Sequence, residues 1–94
     1  MEVTILLGSS SDMPVAEKCT KILKQFDVTY QLRVASAHRS PKFVEQIIHD
    51  AEADGCMVFI AMAGLAAALP GAVAALTTKP VSYTHLRAHE TQRN

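Results

Sequence analysis

The chain has 94 residues, 49% of them hydrophobic and 19% charged, with nine basic residues against nine acidic ones. A chain of this length holds one small domain, which buries roughly 60–65% of its unfolded surface and is marginally stable without partners. The balanced charge excludes nucleic-acid binding through bulk charge, while leaving room for a local anion site. Cys19 and Cys56 have neither a CxxC nor a metal-ligand spacing, and read as buried thiols of a reducing cytoplasm. Met1-Glu2-Val3 lacks the basic start of a signal peptide. Cys56 to Thr78 is uncharged and long enough to span a bilayer. Gly64, Pro70 and Gly71 interrupt it, so a strand, a small-residue loop and a helix explain it better than a membrane span.

Val3-Thr4-Ile5-Leu6-Leu7 is a nearly continuous apolar run, as expected of a parallel strand covered on both faces. Gly8-Ser9-Ser10-Ser11-Asp12 breaks it, with Asp12 expected as the N-cap of a helix and Pro14 in its first turn. Val15, Cys19, Ile22, Leu23 and Phe26 then recur at helical spacing, with Glu17, Lys18, Lys21 and Lys24 opposite. Val28 to Val34 predicts a second strand. Ser36-Ala37-His38-Arg39-Ser40-Pro41 follows it and leads into a second helix, whose buried face is Phe43, Val44, Ile47, Ile48 and Ala51 and whose end is Gly55. Met57 to Ala61 predicts a third strand, Ala63 to Ala68 a loop of small residues, and Leu69 to Leu76 a third helix. After Thr77-Thr78-Lys79-Pro80, Val81 is placed to begin a fourth strand.

The order β-α-β-α-β-α-β argues for an α/β fold: a parallel sheet with helices on both faces and right-handed crossovers. Ligands of such sheets sit outside the carboxyl ends of the strands. The loops Gly8–Asp12, Ser36–Pro41 and Ala63–Ala68 all follow strands, so they share that edge. Gly8–Asp12 offers backbone N–H groups and hydroxyls without the lysine of a P-loop or the spacing of a dinucleotide fingerprint. Alone it reads either as a capped turn or as a phosphate or ribose site. Ser36, His38 and Arg39 are more specific as a set. Arginine grips phosphate bidentately, histidine exchanges a proton near neutral pH, and the following helix start favours anions. A loop histidine by itself is usually only solvated; three loops at one edge favour function. His49, about one turn from Glu45 and Glu52, reads as a surface histidine. His85 and His89 have a zinc-compatible i, i+4 spacing without an HExxH pattern or third ligand, and no metal is expected.

With these residues in hand, the chain resembles the PurE family of purine biosynthesis, 5-(carboxyamino)imidazole ribonucleotide mutase, from about Val3 to Val81. Three separated motifs carry the resemblance: Gly8-Ser9-Ser10-Ser11-Asp12, Ser36-Ala37-His38-Arg39-Ser40-Pro41, and Ala63-Gly64-Leu65-Ala66-Ala67-Ala68-Leu69-Pro70-Gly71. It implies a three-layer α/β/α flavodoxin-like fold, a cytoplasmic homo-octamer, and a small-molecule ribonucleotide substrate with no cofactor, nucleic acid or membrane involved. The implied reaction moves carboxylate from the exocyclic nitrogen to the ring carbon of an aminoimidazole ribonucleotide. By the same matching, His38 is the proton shuttle. Ser9, Ser11, Ser36 and Arg39 hold the phosphate, Asp12 the ribose, and the loop with Ala63 and Gly64 lies against the imidazole and carbon dioxide.

Two departures accompany the resemblance. Ala68 stands where many members have histidine, and Met62 and Leu65 stand where members often have glycine. After Val81 the resemblance stops, so residues 1–81 read as the N-terminal part of the domain, cut off after about three and a half β-α units. Residues 82–94 read as an unrelated tail, like a translated sequencing adapter. The expectation is therefore an exposed apolar sheet edge, poor solubility and no turnover from the 94-residue chain itself. Two other readings stay open. One is the related carboxylase using free carbon dioxide, against which Arg39 leans; the other is a non-catalytic nucleotide-binding domain of the same fold.

Overall fold

The computed structural model describes residues 1–35, 41–63 and 68–85. Their elements in chain order are β1 (Val3–Leu7), a single 3-10 turn (Ser10–Asp12), α1 (Met13–Gln25), β2 (Tyr30–Val34), α2 (Pro41–Ala53), β3 (Val58–Ala63), α3 (Ala68–Leu76) and β4 (Val81–His85). The alternation expected from the sequence is present. β2 starts two residues later than the apolar pattern implied, and β3 runs two residues further, to Ala63. β4 starts at Val81 and continues to His85, four residues into the segment 82–94; residues 86–94 lie outside the described ones.

All three pairings are parallel and the strand order is β2-β1-β3-β4. β1 and β3 are interior strands, which is why both are apolar almost throughout. Their two-residue period sorts side chains to opposite faces. Leu6, Phe59 and Ala61 point to the side covered by α2 and α3, where they pack with Val44, Ile47, Ile48, Ala51, Leu69 and Val73. Ile5, Leu7, Ile60 and Met62 point to the side covered by α1, with Met13, Ala16, Cys19 and Leu23. The result is three layers with the sheet in the middle. Full burial of Phe59, Ile5, Leu6 and Leu7 stabilises the fold by roughly 1.5–3 kcal/mol per side chain.

One polar chain crosses the α2 side of the sheet. Gln31 Nε2 donates to Thr4 Oγ1 at 3.1 Å, Thr4 Oγ1 donates to Cys56 Sγ at 3.2 Å, and Cys56 Sγ donates to the Val58 carbonyl at 3.2 Å. Cys56 is thus the buried thiol the sequence predicts, with its polarity satisfied, and it lets a threonine sit fully buried in β1.

The helix faces need correction in two places. On α1 the packed face is centred on Ala16 and Leu23, so Ile22 and Phe26 stand at its flank, 54% and 73% exposed. Ile22 lies roughly 120° around the helix from Ala16, and the methyl of Ala16 lets the backbone approach the sheet most closely there. On α2, Phe43 is exposed rather than buried and lies under the Arg33 guanidinium, 5.7 Å from ring centre to carbon. Gly55 ends α2 as expected, in the left-handed region at φ +91°, with Cys56 N–H returning to the Ala51 carbonyl at 2.9 Å. α1 ends the same way without a glycine: Asp27 takes φ +57° and Val28 N–H returns to the Leu23 carbonyl at 2.9 Å.

Candidate functional site

The carboxyl ends of the strands are level. Leu7 of β1 is in register with Val34 of β2 and with Met62 of β3, and Ala63 with His85 of β4. Two backbone hydrogen bonds tie the beginnings of the loops together: Gly8 N–H donates to the Met62 carbonyl at 2.9 Å, and Ala35 N–H to the Leu7 carbonyl at 2.8 Å. Gly8–Asp12 therefore leaves the sheet between the departure points of the other two loops, as a ligand edge requires. The segment carrying Ser36, His38 and Arg39 runs from β2 to the start of α2, and the segment carrying Gly64 runs from β3 to α3. Residues 36–40 and 64–67 lie outside the described residues, as do the contacts expected of those four side chains and backbones. Ala63 is the last residue of β3.

The described part of the edge is built by three residues. Ser9 is extended (φ −156°, ψ 152°) and its hydroxyl accepts from Ser11 N–H at 3.2 Å. The Ser9 and Ser11 hydroxyls are 3.0 Å apart, so both face solvent as one paired donor–acceptor group beside the start of α1. Asp12 corrects the sequence reading. It occupies the N-cap position of α1 but makes no side-chain capping bond. The 3-10 turn before α1 already gives Asp12 helical angles (φ −85°, ψ −3°), so its carboxylate cannot swing back to the first N–H groups of the helix. Ser9 takes the capping role one turn earlier. The Asp12 carboxylate is instead only 7% exposed, and its Oδ2 is buried with no hydrogen-bond partner among the described residues. A buried carboxylate oxygen left open is costly. It lies just past the carboxyl end of β1, in the loop that follows Leu7.

Sequence reasoning missed two features here. Met62, read only as a departure from glycine, is buried among Leu7, Ala16 and Met13 on the α1 side and supplies the carbonyl that anchors Gly8. A groove of about 540 Å³ runs along the outer side of α2 next to Leu76. None of Ser9, Ser11 or Asp12 lines it, so it is separate from the strand ends. Its charge pattern was present in the sequence, but not the neighbouring helix that makes it concave. Among the described residues, no group of three His, Cys, Asp or Glu is placed to hold a metal ion, and no helix is long and apolar enough to cross a membrane.

Residues 2–85 match the AIR carboxylase family. A Methanocaldococcus jannaschii protein named N5-carboxyaminoimidazole ribonucleotide mutase is 58% identical over 79 residues, 84% of this chain and 48% of its own length. A Pyrococcus abyssi protein of the same name is 48% identical over 85% of this chain and 46% of its own length. A Candida glabrata phosphoribosylaminoimidazole carboxylase is 44% identical over 84% of this chain and 14% of its own length. The crystal structure of Treponema denticola PurE superposes with a TM-score of 0.87 at 34% identity, covering 95% of this chain and 57% of that one. This chain therefore spans about half the length of these two mutases. With its strand order, its level strand ends and its match over residues 2–85, the chain belongs to the AIR carboxylase family.

Proposed function

We propose that this chain forms the substrate-binding edge of an N5-carboxyaminoimidazole ribonucleotide mutase, an isomerase of purine biosynthesis. The observation that carries the reading is the open Asp12 carboxylate beside the paired Ser9 and Ser11 hydroxyls at the carboxyl end of β1. One ribonucleotide fits that chemistry. Asp12 accepts from ribose hydroxyls. Ser9 and Ser11 donate to the phosphate with Ser36 and Arg39, near the positive end of α1. Ala63 and Gly64 bring backbone against the imidazole and the carboxylate, where small side chains permit close N–H approach.

In the reaction, the N–C bond of the carbamate breaks and releases carbon dioxide within the site. The ring carbon attacks that carbon dioxide and forms the new C–C bond. The exocyclic nitrogen gains a proton as its bond to carbon dioxide breaks, and His38 takes the proton displaced from the ring carbon, so the proton count is unchanged. In the reverse direction His38 returns a proton to that carbon. Enclosure holds the carbon dioxide beside its nucleophile. The octameric assembly and cytoplasmic location implied by the resemblance belong to this proposal.

The similarity to a phosphoribosylaminoimidazole carboxylase supports a second reading, direct carboxylation by free carbon dioxide. Turnover by the product of the complete reading frame tests both. Conversion of the carbamate without bicarbonate, lost in His38→Asn, is the expected result. Turnover that depends on bicarbonate and aminoimidazole ribonucleotide supports the carboxylase. Ligand binding without any turnover, unchanged in His38→Asn, overturns the enzyme reading.

A further inference from the structure

Arg33 of β2 and Phe43 of α2 make a contact that neither the core nor the proposed reaction uses. The Arg33 guanidinium carbon lies 5.7 Å from the centre of the Phe43 ring, within cation–π range. Both residues are exposed, Phe43 by 43%. The ring is not needed to pack α2, because Val44, Ile47, Ile48 and Ala51 already bury the inner face of that helix. The sheet aims the cation at it. Arg33 is in register with Leu6, which packs on the α2 side, and neighbouring strands share their pleat.

The pair brackets one segment. β2 ends at Val34 and α2 begins at Pro41, so Arg33 stands just before residues 36–40 and Phe43 just after them. The two ends of that segment are tied at two levels. On the inside, Ala35 and Val44 are buried in the same apolar cluster, 4% and 0% exposed, and Ala35 N–H donates to the Leu7 carbonyl at 2.8 Å. These contacts belong to the sheet and the helix, and they set where the segment leaves and returns. On the outside, the guanidinium lies over the ring and adds a second tie between the same two ends.

A tie at the base of a segment removes conformations the segment would otherwise sample, so less order has to be imposed when a ligand binds to it. A segment competent for only a fraction of the time binds its ligand more weakly by that fraction. Neither Arg33 nor Phe43 falls within the motif Ser36-Ala37-His38-Arg39-Ser40-Pro41 that they flank.

We propose that Arg33 and Phe43 are positioning residues, whose cation–π contact clasps the base of the segment carrying Ser36, His38 and Arg39 and pre-organises it for the ribonucleotide. Arg33 acts through Phe43 and touches no ligand itself. The proposal rests on the mutase reading for what the segment binds.

A double-mutant cycle on the product of the complete reading frame tests the clasp, with Arg33→Gln, Phe43→Leu and the two combined. Calorimetric titration with aminoimidazole ribonucleotide and steady-state turnover of the carbamate are measured on each. Each single variant should bind about two- to five-fold more weakly, the size of an exposed cation–π contact, with KM raised by the same factor. kcat should stay at the wild-type value, because bound ligand orders the segment in every form. The double variant should match the single ones, since the same contact is lost either way. Phe43→Tyr keeps the ring face and should match wild type. A pair with only a structural role would lower the melting temperature and leave KM where it was. Hydrogen exchange of the peptide spanning residues 35–43, followed without ligand, should quicken in both single variants. That readout keeps the two readings apart. A wild-type protein that neither binds the ribonucleotide nor turns over the carbamate removes the mutase reading, and exchange then decides the clasp alone. Unchanged exchange and unchanged KM in both single variants overturn the clasp and leave the mutase reading intact. So does a loss confined to Arg33→Gln and indifferent to Phe43, because the guanidinium would then be gripping the phosphate itself.

Discussion

Asp12→Asn is the substitution that most directly separates a binding role from a structural one. Asp12 is only 7% exposed, with Oδ2 unpartnered among the described residues. An unsatisfied buried polar atom costs about 1–3 kcal/mol, and more when it carries charge. The amide keeps the shape and removes the charge. It should therefore raise the stability of the free chain by about 1 kcal/mol, which in a domain of this size moves the melting temperature up by about 4–8 °C. With ligand the sign reverses. A hydrogen bond to a charged group contributes about 1.5–3 kcal/mol, so losing the carboxylate as acceptor should weaken aminoimidazole ribonucleotide binding about ten- to hundred-fold. Thermal unfolding followed by circular dichroism gives the first quantity and isothermal titration calorimetry the second. A variant that melts lower than wild type and binds the ribonucleotide equally well would refute the reasoning, because Asp12 would then be satisfied within the chain. The opposite signs expected in the two assays are those of a site that gives up stability for function.

Two further outcomes follow from the helix ends and the thiols. Asp27 takes a left-handed conformation that costs an L-residue about 1–2 kcal/mol, and it places a negative charge at the wrong end of α1 for the helix dipole. After the added chain entropy of glycine, Asp27→Gly should stabilise by about 0.5–1 kcal/mol, seen as a higher urea midpoint at unchanged slope. Burial holds the Cys19 thiol above its ordinary value of 9.0, so its reaction with iodoacetamide at pH 8 should be slower than that of a cysteine peptide. The folded state then holds its proton at pH values where the unfolded state has released it. The stability this contributes is complete below pH 9.0 and is lost as pH rises through the folded value. Cys19→Ser should flatten that alkaline loss in urea titrations, and equal slopes in the two proteins would remove Cys19 from the account.

Much of the fold was legible because its signals are local. Val3–Leu7 and Met57–Ala61 are short apolar runs bounded by turn residues, and both are interior strands. Gly55 and Pro14 mark helix boundaries for reasons confined to their own backbones. Helical periodicity located α1 and α2 but overstated their buried faces. Period tells which residues share a side, and not how wide a strip the sheet covers. Ile22, Phe26 and Phe43 were misjudged for that reason. Of the candidate site, the placing of its loops after the strands was legible. That Asp12 makes no capping bond was not, because capping depends on a 3-10 turn that the motif Gly8-Ser9-Ser10-Ser11-Asp12 does not announce.

By itself, the sequence determined the alternation of strands and helices, the placing of three loops after three strands, and the three motifs by which the chain resembles its family. Each rests on neighbours in the chain. Only the tertiary structure decided that β1 lies between β2 and β3, that Ser9 rather than Asp12 caps the turn, and that the Asp12 Oδ2 is buried without a partner among the described residues. It also turned a charged stripe on α2 into the wall of a groove beside Leu76. These are questions of burial and of which distant segments meet. A side chain's environment is set by residues far away in sequence: Val3 of β1 pairs with Tyr30 and with Val58.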